Sequence, residues 1–142
     1  MLPGHADLPT ALPSAEERHT DSTCIVVREI LARVGDKWSV LVISLLGERG
    51  HRFGELRRAI EGISQRMLTL TLRQLERDGL VSRTVHATVP PRVDYALTPL
   101  GESVLEPIMA LTRWAAEHGT DIASARLQYD AQQLAEAEAT TG

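Results

Sequence analysis

The chain has 142 residues, a formal net charge of −4, one cysteine and only 4% aromatic residues. A single cysteine excludes an internal disulfide and, together with the lack of a signal-peptide pattern, predicts a reducing, cytoplasmic location. The few aromatic residues argue against a protein that binds single-stranded nucleic acid by stacking on its bases. No apolar run approaches the roughly 20 residues that span a bilayer, so we expect no membrane partner.

The charge is distributed unevenly along the chain. Residues 27–99 contain twelve Lys or Arg against eight Asp or Glu, whereas residues 1–26 contain one against four and residues 100–142 two against seven. Because a local basic region matters more for DNA binding than the overall sum, the middle of the chain is the candidate region for contact with nucleic acid.

Motifs for catalysis are not found in the sequence. The five histidines show no metal-ligand spacing, and neither a nucleophile elbow nor a phosphate-binding glycine loop is present. We therefore expect no metal, no cofactor and no enzymatic activity.

The first part of the chain predicts an arm followed by two helices. Residues 1–22 contain three prolines and no helical or strand period, a composition typical of a mobile arm. A first helix is predicted from Ser22 or Thr23 to about Val34. Asp36 then caps a second, nearly all-apolar helix, which we expect at the centre of the core.

Residues 53–80 predict two further helices joined by a short turn at 61–64. Ser64 is a suitable cap for the second of these helices, and Gly79 a suitable end. A leucine stripe is predicted to face the core, and the opposite side carries Arg66, Leu70, Arg73 and Arg77, with Thr69 on the flank. This pattern favours a helix-turn-helix whose second helix reads DNA. The alternative is an ordinary amphipathic helix with a solvated face.

A β-hairpin is predicted directly after this unit. Residues 81–86 are rich in β-formers, residues 93–97 alternate between apolar and other side chains, and two prolines lie in the turn between them. Two helices followed by a hairpin define a mainly α fold with a small β-hairpin wing, the winged helix-turn-helix. Arg83 and Arg92 would then lie near backbone phosphates. The alternative is a structural hairpin with incidental arginines.

Thr98 and Pro99 predict the start of a long amphipathic helix. We expect it to pack with the first helix as a dimer arm; the alternative is that it folds back on its own domain. Residues 121–142 predict a short helix that frays by Ala139. The expected organisation is an arm at 1–22, a domain with its dimerisation helices at 23–118, and a C-terminal extension at 119–142.

From Cys24 to Trp114 the chain resembles the HxlR-type winged helix-turn-helix transcription regulators of bacteria. The matching segments are the cysteine before the first helix, GDKWSVLVI (35–43), RFGELRRAIEGISQRMLTLTLRQLERDGLVSR (52–83), VPPRVDYALTPLG (89–101) and Trp114. The resemblance implies a homodimer, held by its terminal helices, on a near-palindromic operator. It also implies that Cys24 senses oxidants or electrophiles, as in some members. Two positions depart from the family pattern: Ile25 follows the cysteine in place of proline, and Gly54 stands where serine is common.

The candidate DNA-binding residues fall into two groups. Side chains at the start and on the outward face of the reading helix are expected to contact base edges, because Arg pairs well with guanine and Gln with adenine; they are Ser64, Gln65, Arg66, Thr69 and Arg73. Arg52, Arg83 and Arg92 are expected to hold phosphates.

Cys24 is the candidate sensor, since the positive end of a helix favours a thiolate; the alternative is a small residue packed in the dimer interface.

The predicted function is a sequence-specific DNA-binding transcriptional regulator that acts as a homodimer and is controlled through Cys24. One alternative is a winged-helix module gated by a small-molecule ligand that binds between the core and the dimer helices. Another is a module that binds protein and no DNA. Exposed Arg66, Thr69 and Arg73 favour DNA over this last reading.

Overall fold

The computed structural model describes residues 22–141, so the predicted arm lies outside the described residues except for Ser22. Helices and strands follow in this order: α1 Ser22–Gly35, α2 Lys37–Glu48, β1 His51–Arg52, α3 Phe53–Ala59, α4 Gln65–Arg77, β2 Val81–His86, β3 Arg92–Leu97, α5 Pro99–Ser103 and α6 Leu105–Thr141. The mainly α fold with a β-hairpin wing is therefore confirmed.

Three predicted caps fix the starts of α2, α4 and α5. The side chains of Asp36, Ser64 and Thr98 accept hydrogen bonds from backbone N–H groups in the first turns of these helices. Each bond satisfies a donor that has no partner inside its own helix. The chain turns after α4 at Gly79, whose φ of +77° suits a residue without a side chain.

The core lies beneath the helix-turn-helix. The nearly all-apolar α2 buries Val42 and Ile43, and α4 packs Leu68, Leu72 and Leu75 beside them, each at most 2% exposed. Burial of this size contributes about 1.5–3 kcal/mol per side chain. The leucine stripe therefore fixes which side of α4 faces outward.

The wing forms one edge of a three-stranded antiparallel sheet with strand order β1-β3-β2. Its register pairs Arg52 with Asp94 across β1 and β3, and Arg83 with Tyr95 across β2 and β3. Because residues opposite each other in a sheet point to the same face, this register decides which charged side chains meet.

The C-terminal helix differs from the prediction. In place of a separate short helix that frays by Ala139, α6 continues for 37 residues, from Leu105 to Thr141. Its last part is rich in alanine, the residue with the highest helix propensity, which offsets the cost of one glycine. Only Ile108 of this helix is buried, so most of α6 is a surface.

One ion pair ties α1 to the end of α4. Arg33 Nε donates to Asp78 Oδ2 at 2.9 Å, and the two side chains are 19% and 11% exposed. Among the apolar side chains of α1, Ile25 and Leu31 are mostly exposed, whereas Val34 packs against the core. The ion pair and Val34 thus both attach α1 to the rest of the domain.

Candidate nucleic-acid interface

The side of α4 opposite its buried leucines is open to solvent. Arg66, Leu70, Arg73 and Arg77 are all exposed, and Leu70 keeps 47% of its surface. Among residues 22–141, no carboxylate forms a salt bridge with Arg66 or Arg73. The predicted separation of a leucine side from an arginine side is thus present in the structure.

The polar residues at the start of α4 are partly engaged within the chain. Ser64 Oγ accepts from Met67 N–H at 3.0 Å, which leaves its own hydroxyl hydrogen available. Thr69 donates its hydroxyl to the Gln65 carbonyl at 2.9 Å. The Gln65 side-chain oxygen accepts from Arg57 Nη1 at 3.4 Å, a long contact that orients the amide. The candidate base-reading residues Gln65, Arg66, Thr69 and Arg73 line one open surface together with Leu70.

A groove of about 420 Å³ separates α4 from the sheet. Gln65, Thr69 and Arg73 line it on the helix side, and Arg83 and Tyr95 line it on the sheet side. Burial raises the pKa of the Tyr95 phenol above its ordinary value, an effect larger than the lowering by Arg83. The phenol therefore stays protonated and able to donate a hydrogen bond into the groove.

The three predicted phosphate-binding arginines each lie near a carboxylate. Arg83 Nε is 3.8 Å from Glu76 Oε2, Arg92 Nη2 is 3.3 Å from Asp94 Oδ2, and Arg52 Nε is 4.0 Å from Asp94 Oδ1. All three arginine side chains keep 41–57% of their surface. Exposed pairs of this kind are weak, so these arginines remain accessible to a phosphate.

Side chains that the sequence pattern does not single out also border this surface. Arg57 orients Gln65, Tyr95 lines the groove, and Glu76 and Asp94 hold the arginines of the sheet. Arg57 carries a signal in the sequence, since it is a basic residue in the last turn of α3. The roles of Glu76 and Asp94 depend on strand register, which the sequence does not specify.

A second exposed surface lies on α1 and α6. Its large apolar side chains each keep half or more of their surface; they are Ile25, Val26, Val27, Leu31, Met109, Leu111 and Trp114. Beside it, an apolar groove of about 190 Å³ runs between α1, α2 and α6 and is lined by Val34, Val40, Ile108, Leu111, Thr112 and Ala115. Half-buried Cys24 lies in the first turn of α1.

Neither a membrane-spanning helix nor a metal site is found among the described residues. No helix between residues 22 and 141 is long and apolar enough to cross a membrane. In the same range, no three or more His, Cys, Asp or Glu side chains gather in a way that could hold a metal ion.

The fold and the surface together define a winged helix-turn-helix regulator. The profile of the HxlR-like helix-turn-helix family matches residues 33–123, and the chain belongs to this family. The HTH-type transcriptional regulator YtfH of Escherichia coli (strain K12) is 48% identical over 87 residues, which cover 61% of this chain and 69% of that protein. The chain is therefore a transcriptional regulator of the helix-turn-helix type, and no enzyme family is indicated.

Solved structures agree with this assignment. The transcriptional regulator ytfH from Salmonella typhimurium is 40% identical with a TM-score of 0.65, over 70% of this chain and 89% of that chain. The redox regulator HypR in its reduced form is 37% identical with a TM-score of 0.65, over 69% of this chain and 97% of that chain.

Proposed function

We propose that the protein binds double-stranded DNA sequence-specifically and regulates transcription as a homodimer on a near-palindromic operator. The observation that carries this proposal is the exposed face of α4, on which Arg66 and Arg73 have no carboxylate partner among residues 22–141. A helix that is held by its leucines and presents such a face fits the width of a major groove.

In this arrangement α4 supplies the base contacts. Arg66 and Arg73 each offer two parallel donors to guanine, and Gln65 pairs with adenine. Ser64 and Thr69 lie at the start and flank of the helix, where hydroxyl groups contact either bases or phosphates. Leu70, which is exposed, contacts a thymine methyl.

Contacts with the DNA backbone come from the sheet. Arg52, Arg83 and Arg92 neutralise phosphates and set the position of the protein without reading sequence. The protonated Tyr95 hydroxyl adds a neutral donor in the groove between α4 and the sheet. Glu76 and Asp94 limit how much positive charge this side presents.

Dimerisation uses the exposed apolar surface of α1 and α6. A single exposed apolar side chain is normal on a protein surface. Seven large exposed apolar side chains on α1 and α6 are typical of an interface. Two copies related by a two-fold axis would place their α4 helices in major grooves about 34 Å apart. In this proposal the domain with its dimerisation helices spans residues 23–118, the described residues from 119 onward extend beyond the interface, and the protein is cytoplasmic.

Control through Cys24 is the regulatory part of the proposal. Cys24 lies at the positive end of α1, in the helix proposed for the interface. The similarity of this chain to the redox regulator HypR, over 69% of its length, also supports this part of the proposal. A ligand between the core and the dimer helices is less well supported. The apolar groove there has about 190 Å³, below the roughly 300–1,000 Å³ of ordinary ligand pockets.

Selection of binding sites from random DNA tests the central claim. We expect a two-fold symmetric consensus with half-sites one helical turn apart, and binding that weakens steeply with salt. Failure to bind any duplex at low salt would leave the protein-interaction module as the better reading.

Thiol control is tested separately. Diamide treatment should change operator affinity of the wild type and leave a Cys24→Ser variant unaffected. Equal affinity of treated and untreated wild type would remove the sensor role and leave the DNA-binding proposal intact.

A further inference from the structure

Four charged or titratable side chains converge on one face of the sheet. Asp94 Oδ1 lies 4.0 Å from Arg52 Nε, whereas its Oδ2 lies 3.3 Å from Arg92 Nη2 and 2.9 Å from His86 Nε2. One carboxylate therefore contacts two of the three arginines that are proposed to bind DNA phosphates.

Strand register produces this cluster. Arg52 lies directly opposite Asp94 on β1, and His86 lies directly opposite Arg92 on β2. Arg92 and Asp94 are two residues apart on β3, so they point to the same face. All four side chains consequently share one face of the sheet, whereas Arg83, directly opposite Tyr95, lies on the other face.

We propose that Asp94 is an intramolecular competitor of the DNA phosphates and sets the affinity of the wing for the DNA backbone. The inference rests on the proposed function, because it gives a role within the same interface. A carboxylate resembles a phosphate in charge and in the acceptor oxygens that it offers a guanidinium. To bind a phosphate, Arg52 and Arg92 must exchange this carboxylate for it.

Two effects of Asp94 act in opposite directions, and their sizes decide the outcome. Asp94 orients the arginines, which favours binding, but it also cancels part of their charge and repels a phosphate that approaches them. The arginine side chains are 57% and 41% exposed and that of Asp94 35%, so the orienting pairs are weak. Loss of the weak orienting pairs therefore costs little, whereas loss of the carboxylate leaves both arginines with their full charge for a phosphate, so removal of the carboxylate should strengthen binding.

Asp94 satisfies the Arg92 guanidinium only in part. Nη2 faces Asp94, while Nε is buried and has no hydrogen-bond partner among the described residues. An incoming phosphate would therefore meet the same outer end of the guanidinium that Asp94 occupies.

The test compares Asp94→Asn with Glu136→Gln, which removes the same charge from an exposed residue of α6 far along the chain. Asp94→Asn should bind operator and unrelated duplexes alike roughly three- to tenfold more tightly at low salt. Its plot of log affinity against log salt should steepen by about 0.9 for each additional phosphate engaged. Glu136→Gln should match the wild type.

Removal of the arginines should abolish the gain. In the Arg52→Ala/Arg92→Ala background, Asp94→Asn should no longer tighten binding, because these two side chains carry the effect. Equal or weaker binding by Asp94→Asn in the wild-type background would overturn the inference. Asp94→Ala provides a second neutral side chain, should the asparagine variant fold poorly.

A measurement without DNA separates this inference from the proposed function. Inorganic phosphate is titrated into the 15N-labelled protein while the Nε–Hε signals of Arg52 and Arg92 are followed by NMR. These signals should shift at several-fold lower phosphate concentration in Asp94→Asn than in the wild type. If this difference appears in a protein that binds no duplex, the competitor role stands and the DNA-binding proposal fails; identical titrations overturn the competitor role.

Discussion

At the scale of residues, the arginines of the interface differ in what they contact within the chain. Arg66 and Arg73 face solvent with no carboxylate partner among residues 22–141, whereas Arg52, Arg83 and Arg92 each lie within 4.0 Å of one. Arginines that are proposed to contact base edges gain from being unpaired, since the two donors of each guanidinium must meet acceptors on the base. Arginines that hold phosphates need only charge and approximate position.

Arg66→Ala should therefore weaken operator binding by about 1–3 kcal/mol and relax the sequence preference at one position of each half-site. Arg77→Ala is the matched control, because Arg77 is exposed in the last turn of the same helix, away from its start. Mobility-shift titrations on operator and single-base variants measure both effects. Equal losses for the two variants would mean that Arg66 contributes only charge.

Glu55 provides a residue-scale prediction for pH. Its carboxylate accepts from Arg49 Nη2 at 3.0 Å and from the Arg52 N–H at 3.2 Å at the start of α3, and these bonds, with that to Arg49 the larger cause, lower its pKa. Because the pKa is lowered in the folded state, the charged carboxylate stabilises the protein at pH values above the ordinary glutamate pKa, about 4.3. This stabilisation is lost as the pH falls through the lowered pKa.

Glu55→Gln keeps a hydrogen-bond acceptor but does not titrate. Thermal unfolding of the wild type should consequently show a larger fall in Tm between about pH 5 and pH 3 than the variant shows. Parallel pH profiles for the two proteins would contradict the stabilising role of the carboxylate.

Most of what the sequence predicts about single residues concerns exposure, and most of what it misses concerns partners. The helical period places Leu68 inside and Arg66 outside because α4 has one strong apolar stripe. No such period shows that Arg52 would lie opposite Asp94. That contact depends on how β1 joins β3, two segments about forty positions apart in the chain.

At the scale of elements, the caps and turns follow sequence rules closely, and α6 does not. Asp36, Ser64 and Thr98 cap helices as expected because each acts on N–H groups within three residues. The sequence predicts a separate short helix within residues 121–142, yet α6 is continuous through Gly119, since one glycine costs about 1 kcal/mol and the alanines around it compensate.

Two glycines of the C-terminal helices therefore predict opposite results for the same change. A Cβ at Gly101 would clash with the Leu80 carbonyl oxygen, whereas nothing lies within 4 Å of one at Gly119. Gly101→Ala should destabilise the protein by about 1–3 kcal/mol or more, and Gly119→Ala should stabilise α6 by roughly 0.5–1 kcal/mol. Urea unfolding measures both changes; a stable Gly101→Ala variant would contradict the tight packing of α5 on Leu80.

At the scale of the whole molecule, the two exposed surfaces lie on different elements. The polar, arginine-bearing surface belongs to α4 and the sheet, and the apolar surface belongs to α1 and α6. This separation would let one copy contact DNA and a second copy at the same time, as the proposed function requires.

Leu111→Glu should dissociate the proposed dimer, because it places a charge in an apolar interface. Leu127→Glu is the control, since Leu127 is also exposed on α6, at 73% against 55% for Leu111, but lies beyond the proposed domain boundary at residue 118. Sedimentation equilibrium gives the mass of each variant, and operator titrations should show weaker, non-cooperative half-site binding for Leu111→Glu alone. Dissociation by Leu127→Glu would move the interface toward the C-terminus.

The bond between Arg33 and Asp78 gives these two surfaces a mechanical relation. Asp78 directly follows the helix that is proposed to face DNA, and Arg33 belongs to the helix that is proposed to face the other copy. Through this bond, a rotation of α1, whether caused by a changed partner or by chemistry in its first turn, would move the C-terminal end of α4. If the protein binds DNA as proposed, the tilt of α4 in the major groove, and with it the spacing that two copies can span, would thus depend on α1, which makes none of the proposed DNA contacts.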